Sequence, residues 1–121
     1  MRHNVEFRNW SPDSEFRKLI DDSIASLDRL AAGIREDALF LRLSVEMNSA
    51  RTLYRVSLTL DVPGPNLATQ AERHDGREAL HDAFAEIERQ LIKHKEKLSH
   101  SHQYKGSTRR AQLMRLKVGM A

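Results

Sequence analysis

The stretch ALFLRLSVEMNSARTLYRVSLTLDV, residues 38–62, decides the fold class of this 121-residue chain. On both sides of Asn48-Ser49, apolar residues alternate with polar ones, which is the pattern of a strand with one buried face. Asn-Ser is typical of a turn, so the stretch predicts two strands joined at Asn48 and Ser49. The inward residues are Leu39, Leu41, Leu43 and Val45 on the first strand and Tyr54, Val56, Leu58, Leu60 and Val62 on the second. Arg42, Arg55, Ser57 and Thr59 alternate with them and predict a polar opposite face.

The sequence before this stretch predicts a strand and a helix. Residues 3–8, HNVEFR, have the pattern of a short strand with Val5 and Phe7 inward. Ser11 is a suitable helix N-cap, and Pro12 suits the first turn. The helix then has its apolar residues three and four positions apart, at Phe16, Ile20, Ile24, Leu27 and Ala31. Gly33 is a plausible end. Trp10, just before the cap, is expected to pack the helix start onto the core.

The sequence after it predicts one more strand and a long helix. A turn at residues 63–66 leads into a strand, NLATQAER, at residues 66–73. The last helix is expected from about Arg77 to Leu98, with an apolar stripe at Leu80, Phe84, Ile87, Leu91 and Leu98. The predicted order is β-α-β-β-β-α, an α+β fold in which both helices cover the apolar face of a four-stranded sheet.

Composition restricts the class of protein. Hydrophobic residues make up 40% and charged residues 31%, as in a globular protein with one modest core. Without Cys there are no disulfides, thiolate metal sites or Cys nucleophiles. No stretch approaches the ~20 apolar residues that span a bilayer, and no signal peptide is evident. We therefore expect a cytoplasmic protein that does not bind membranes.

The charge is unevenly distributed along the chain. Residues 1–88 contain 11 Lys or Arg and 16 Asp or Glu, whereas residues 89–121 contain 9 Lys or Arg and a single acid, Glu96. Helical periodicity places Arg89, Lys93, Lys97 and His100 opposite the apolar stripe, with His94 and Lys95 beside that stripe. Like charges four residues apart repel each other, so this ridge predicts a polyanionic partner.

Several segments resemble the ribosome hibernation-promoting factor family, which includes ribosome-associated inhibitor A. RQLIKHKEKL, residues 89–98, is the most specific, within the longer AERHDGREALHDAFAEIERQLIKHKEKL. SPDSEFRKLIDDSIASLDRL resembles the first helix of the family, and LSVEMN resembles its second strand. The resemblance covers residues 3–98 and is to the short form of the family. It implies a fold similar to double-stranded RNA-binding domains and a site in the messenger and transfer RNA channel of the small ribosomal subunit.

The chain also departs from the family. Family members usually carry lysines along the first helix, where this chain has Ser23 and Ser26 beside Asp21 and Asp22. Arg77 stands where an aromatic residue is frequent, and Glu86 stands where a cation is common. We therefore expect the second helix to contribute more to RNA contact than the first.

These observations predict a ribosome-associated translation inhibitor with two regions. Residues 1–98 would form the hibernation factor-like domain, and residues 99–121 a basic, flexible tail. The expected partner is ribosomal RNA of the small subunit, with no small-molecule substrate, cofactor or metal. The expected phosphate contacts are Arg89, Lys93, Lys95 and Lys97, assisted by His94, with Arg17 and Arg29 secondary and with Lys105, Arg109 and Arg110 in the tail.

Other functions stay open on the sequence alone. The chain could be a stand-alone module for another structured RNA, or a protein-interaction regulator whose basic tail docks an acidic partner. A metal site at His94, His100 and His102 is weakly indicated, because no ligand pattern accompanies these residues. Catalysis by acids such as Glu86 and Glu88 is not expected, since residues two positions apart do not face each other on a helix. No phosphate-binding loop, nucleophile elbow or zinc-peptidase motif is present.

Overall fold

The computed structural model describes the backbone of residues 1–106 and the side chains of residues 1–97. Its elements are β1 (Arg2–Arg8), α1 (Ser14–Leu30), a 3-10 turn (Glu36–Ala38), β2 (Phe40–Asn48), β3 (Leu53–Asp61), β4 (Leu67–Arg73) and α2 (Gly76–Gly106). The predicted α+β fold and its β-α-β-β-β-α order are confirmed. The chain divides into two compact units, Met1–Leu91 and Ile92–Ala121. The first unit contains the whole sheet and α1.

The four strands lie in the order β1-β2-β3-β4. β1 pairs with β2 in parallel, and this is possible because α1 carries the chain back between them. β2 and β3 form the hairpin predicted around Asn48-Ser49, with Leu43 opposite Leu58 and Val45 opposite Val56. β4 adds antiparallel to β3 and forms one edge of the sheet.

The inward faces of the strands and the apolar faces of both helices form one buried cluster. From β2 and β3 it contains Leu41, Leu43, Val45, Val56, Leu58 and Leu60, and from the helices it contains Phe16, Ile20, Ile24, Leu27, Leu80, Phe84, Ile87 and Leu91. Tyr54 was expected to be buried with this set, but it is half-buried at the start of β3. Leu98 of the predicted stripe lies outside the described side chains.

Trp10 packs as expected. Its ring makes edge-to-face contacts with Phe16, Tyr54 and Phe7 at centroid distances of 5.1, 5.2 and 5.8 Å. Its Nε1–H donates a hydrogen bond to the carbonyl oxygen of Val45 at 3.2 Å. An aromatic ring with a polar N–H is well suited to this place, because the ring is covered while the N–H finds a backbone acceptor.

The predicted cap of α1 is wrong. Asp13, not Ser11, is the N-cap, and its carboxylate accepts a hydrogen bond from the backbone N–H of Phe16 at 2.8 Å. Pro12 therefore precedes the helix and is not part of its first turn. At the other end the C-cap is Ala31, and Gly33 follows with a φ of 97°, a left-handed conformation that glycine adopts easily.

α2 is longer than predicted. It extends to Gly106, whereas the sequence indicated an end near Leu98. Between Gly76 and Gly106 there is no glycine or proline, so continuing the helix costs at most a few tenths of a kcal/mol per residue. The division into a domain at residues 1–98 and a tail at residues 99–121 stays a prediction, since residues 107–121 lie outside the described part of the chain.

The outer face of the sheet is polar, as predicted, and its charges are paired across strands. Arg42 bridges to Asp61 at 3.1 Å, and Arg55 bridges to Glu72 at 2.7 Å. Phe40, the one large apolar residue pointing outward from β2, lies beneath the guanidinium of Arg42 at 4.7 Å. This face therefore offers no row of unpaired cations within the described residues.

Candidate nucleic-acid interface

Helix α2 carries the predicted interface, and its start is well defined. The carboxylate of Asp75 accepts a hydrogen bond from the backbone N–H of Arg77 at 2.9 Å, and the carbonyl of Asp75 accepts from Ala79 at 3.0 Å. Gly76 suits this point, because a Cβ there would lie 3.3 Å from Cδ2 of Tyr54, which is closer than most Cβ contacts. From here Leu80, Phe84, Ile87 and Leu91 are buried, so the opposite side of the helix faces solvent.

Arg89 is exposed on that side but is already engaged. Its Nε–H and Nη2–H donate to the two carboxylate oxygens of Glu86 at 3.1 and 2.7 Å. These hydrogen bonds, together with the charge of Glu86, raise the pKa of the Arg89 guanidinium above its ordinary value. The side chain is still 58% exposed, so an anion can reach it.

Lys93 and Lys97 are exposed, as predicted from their position opposite the apolar stripe of the last helix. Neither makes an ion pair with any side chain in residues 1–97. They are four residues apart on one continuous helix, and neighbours at that spacing lie on the same side. We call these two residues the lysine pair. Lys95 is half-buried and points away from the lysine pair by its position on the helix.

His94 is not a surface residue. It is 7% exposed, and its Nε2 has no hydrogen-bond partner among the described residues. The reason is positional: His94 follows Ile87 by seven residues and Leu91 by three, which places it within the apolar stripe and not beside it. We therefore exclude His94 from the phosphate contacts, because its buried ring could reach a phosphate only by moving to the surface.

The two arginines predicted on α1 are both exposed but are held by neighbours. The guanidinium of Arg17 lies 5.4 Å from the centroid of the Phe7 ring, a cation–π contact. Arg29 donates to the hydroxyl of Ser26 at 3.1 Å. The exposed acids Asp21 and Asp22 lie on the same helix, and they reduce the positive potential of this surface. The secondary role of α1 in RNA contact stays a prediction.

The tail candidates cannot be placed. The backbone of Lys105 belongs to α2, but its side chain is outside the described residues, as are Arg109 and Arg110. Their role stays a prediction.

A groove beside the first turns of α2 does not add free cations. It is lined by Arg73, Arg77, Glu78, His81 and Asp82. Arg73 bridges to Asp82 at 2.7 Å, and Arg77 bridges to Glu15 of α1 at 2.9 Å. Arg77 therefore ties the first turns of the two helices together.

Two contacts of this surface were missed by the sequence prediction, and the first is the pairing of Arg89 with Glu86. Glu86 and Arg89 are three residues apart, a spacing at which helical side chains meet, so the signal was available. Gln90 was also missed: its amide Nε2–H donates to the carbonyl of Ala68 at 3.0 Å, and its Oε1 accepts from the N–H of Ala68 at 3.3 Å. The periodicity of α2 could not indicate this contact, because Gln90 meets the backbone of β4, an edge strand that is distant in the sequence.

Among residues with described side chains, no group of three His, Asp or Glu is arranged to hold a metal ion. Within the same part of the chain, no helix combines the length and apolarity that crossing a membrane requires. The described part of α2 carries a set of exposed cations, Arg89, Lys93 and Lys97.

Comparison with known proteins agrees with this fold. Residues 3–99 match a family described as Sigma 54 modulation protein / S30EA ribosomal protein. A ribosomal subunit interface protein from Coxiella burnetii superposes with a TM-score of 0.62 at 20% identity, covering 78% of this chain and 98% of that one. The N-terminal domain of Protein Y from Thermus thermophilus gives the same score and identity, covering 75% and 96%. A search among curated proteins found no match.

Proposed function

Because the chain belongs to the Sigma 54 modulation protein / S30EA ribosomal protein family, the family of ribosome hibernation factors, we propose that it binds ribosomal RNA of the small subunit and blocks translation. The family match supports the ribosome as the partner. The proposed site is the channel that messenger and transfer RNA use, and the proposed location in the cell is the cytoplasm. The match covers the sheet, α1 and most of α2, so the proposal concerns the folded body.

The lysine pair is the observation that carries the mode of binding. Lys93 and Lys97 are exposed cations without an ion-pair partner in residues 1–97, on a helix whose other side is buried. Most arginines in residues 1–97 are different because they are paired with carboxylates: Arg8, Arg35, Arg42, Arg55, Arg73, Arg77 and Arg89. RNA phosphates would therefore bind most favourably to the lysine pair of α2, because no carboxylate in residues 1–97 has to be displaced from these two side chains.

The proposed mechanism is occlusion, with no covalent step. A folded body held in the channel by phosphate contacts would exclude messenger and transfer RNA by its volume. Phosphate contacts fix position and orientation but carry little sequence information, so recognition would depend on the shape of the RNA. Lys95 would add to the lysine pair, and Arg89 would add less because Glu86 already holds its guanidinium. Arg17 and Arg29 on α1 would be secondary.

The direct test is charge reversal of the lysine pair. Lys93→Glu together with Lys97→Glu should nearly abolish co-sedimentation with small subunits and leave the circular dichroism spectrum unchanged. The steepness of the log–log salt dependence should fall by about two, because each phosphate contact contributes roughly 0.9. A matched variant, Lys18→Glu with Arg51→Glu, reverses two exposed cations elsewhere and should bind far better than the test variant. Equal losses in both variants would show that only net charge matters and that the lysine pair is not the binding surface.

The same titrations address the remaining functions. Equal affinity for an unrelated structured RNA would favour a general RNA-binding module over a ribosome-specific factor. Retention on small subunits that does not change with salt would indicate a protein contact in place of phosphate contacts.

A further inference from the structure

Glu86 holds the guanidinium that RNA would use. Two parallel hydrogen bonds join Arg89 to the carboxylate, at 3.1 Å from Nε to Oε1 and at 2.7 Å from Nη2 to Oε2. An RNA phosphate binds arginine with the same pair of parallel hydrogen bonds. In the free protein, the Nε and Nη2 edge of Arg89 is therefore filled by an internal anion.

Glu86 is itself held in place from a second direction. Its Oε2 also accepts a hydrogen bond from Nε2 of Gln90 at 3.0 Å. The amide of Gln90 is in turn held by the backbone of Ala68, to which it donates at 3.0 Å and from which it accepts at 3.3 Å. Because Ala68 belongs to β4 and β4 is part of a rigid sheet, the carboxylate does not depend on Arg89 alone for its position.

This arrangement makes Arg89 different from the lysine pair. A phosphate that approaches Lys93 or Lys97 meets no ion-paired carboxylate from residues 1–97, whereas a phosphate that approaches Arg89 meets the carboxylate of Glu86 at the same edge. The two hydrogen bonds from Glu86 stabilise the positively charged form of Arg89, and the carboxylate already balances that charge. A phosphate can take the Nε and Nη2 edge only if Glu86 releases it.

We propose that Glu86 sets the RNA affinity of this protein, because its carboxylate competes with an RNA phosphate for Arg89. The proposal rests on the proposed function and names the residue that limits it. Arg89 contributes little to RNA binding while Glu86 holds it, and contributes a full phosphate contact once the carboxylate is removed.

The experiment compares Glu86→Gln with Glu88→Gln in the full chain. Glu88 lies on the same helix and carries the same charge, and no ion pair joins it to a cation among the described residues. Both substitutions raise the net charge by one, and glutamine at position 86 can still hydrogen-bond to Gln90.

Affinity for purified small subunits is measured from 50 to 200 mM salt. Glu86→Gln should bind more tightly at 50 mM and lose about threefold more affinity than the wild type over this range, the effect of one added phosphate contact. Glu88→Gln should change that loss by less than half as much.

A double-mutant cycle with Arg89→Ala identifies the partner. In the wild type Arg89→Ala should have a small effect, and in the Glu86→Gln background it should remove the whole gain. In the free protein, NMR should show the Nε–H of Arg89 protected from exchange with water in the wild type and unprotected in Glu86→Gln.

The possible results separate the two proposals. Wild-type protein that does not bind small subunits would overturn the proposed function and this inference with it. Salt-sensitive wild-type binding, with Glu86→Gln indistinguishable from Glu88→Gln, would overturn this inference alone. The same holds if Arg89→Ala costs equally much in both backgrounds, because Arg89 would then contact RNA with Glu86 still in place.

Discussion

Leu58→Ala tests the packing of the sheet more directly than any other single substitution. Leu58 is 1% exposed in β3, where it lies opposite Leu43 of β2 and Thr69 of β4. It belongs to the buried cluster that the sheet shares with both helices. Its removal therefore opens a space that is surrounded on every side.

The expected cost follows from the atoms removed and from the stiffness of the surroundings. The substitution deletes three buried carbon atoms, worth about 2.4 kcal/mol at about 0.8 kcal/mol each. The cavity left behind adds to this, and measured Leu→Ala costs in cores span about 2–5 kcal/mol. β3 is hydrogen-bonded on both sides and cannot move inward to fill the space, so we expect about 3–4 kcal/mol.

Urea denaturation followed by far-UV circular dichroism measures this cost. Thr59→Ala is the matched control, because Thr59 is the next residue of β3 and lies half-exposed on the outer face. It should cost under about 1 kcal/mol. If Leu58→Ala proves too unstable to measure, Leu58→Val should show a cost of about 1 kcal/mol. A cost below about 1 kcal/mol for Leu58→Ala would refute the assignment of this face of β3 to the core.

Three further predictions concern the helix cap, the tail and the lysine pair. Asp13→Ala should destabilise the protein by about 1 kcal/mol in thermal melts, since it leaves the N–H of Phe16 without its partner, whereas Ser11→Ala should have almost no effect. Truncation after Leu98 should leave a folded protein that binds small subunits more weakly and with a shallower salt dependence. Truncation after Gly106 separates the contribution of the helix from that of the tail, and salt titrations in which all three chain lengths coincide would exclude a role for both. Lys97→Glu alone should reduce the log–log salt slope by about half as much as the double reversal of the lysine pair, and an unchanged slope would remove Lys97 from the contacts.

Much of this protein could be predicted from periodicity. Alternation over residues 38–62 has only one structural meaning, because side chains along a strand point to opposite faces. The spacing of Phe16, Ile20, Ile24 and Leu27 likewise indicated α1 and its buried side, and these four residues are buried. The concentration of cations after residue 88 is also visible in the sequence alone. These features depend on neighbours along the chain, so the sequence contains them in full.

The N-cap of α1 and the burial of His94 were harder to predict, because both depend on how the chain packs in three dimensions. Ser11 and Asp13 are both good N-cap residues, and the choice between them depends on which one the chain brings to the N–H of Phe16 as it leaves β1. His94 occupies a place in the apolar stripe by its spacing, but a polar residue near lysines favours the surface when sequence alone is considered. Burial of a ring depends on the packing around it, and composition does not report that packing.

The sequence by itself determined the elements, their amphipathic faces and the basic end of the chain, because each of these is a pattern of residues close together in the sequence. Only the tertiary structure decided that β1 lies parallel to β2, that Gln90 pairs with Ala68 of β4, and that the outer-face arginines are neutralised across strands. It also decided that Gln90, held by Ala68 of β4, fixes the carboxylate of Glu86 beside Arg89, a pair whose three-residue spacing the sequence already contained. The pairing of Arg89 leaves the lysine pair as the exposed cations without ion pairs on the described part of α2. The physical reason is that a hydrogen bond or ion pair forms between groups that the fold brings within about 3 Å, and that distance is independent of their separation along the chain.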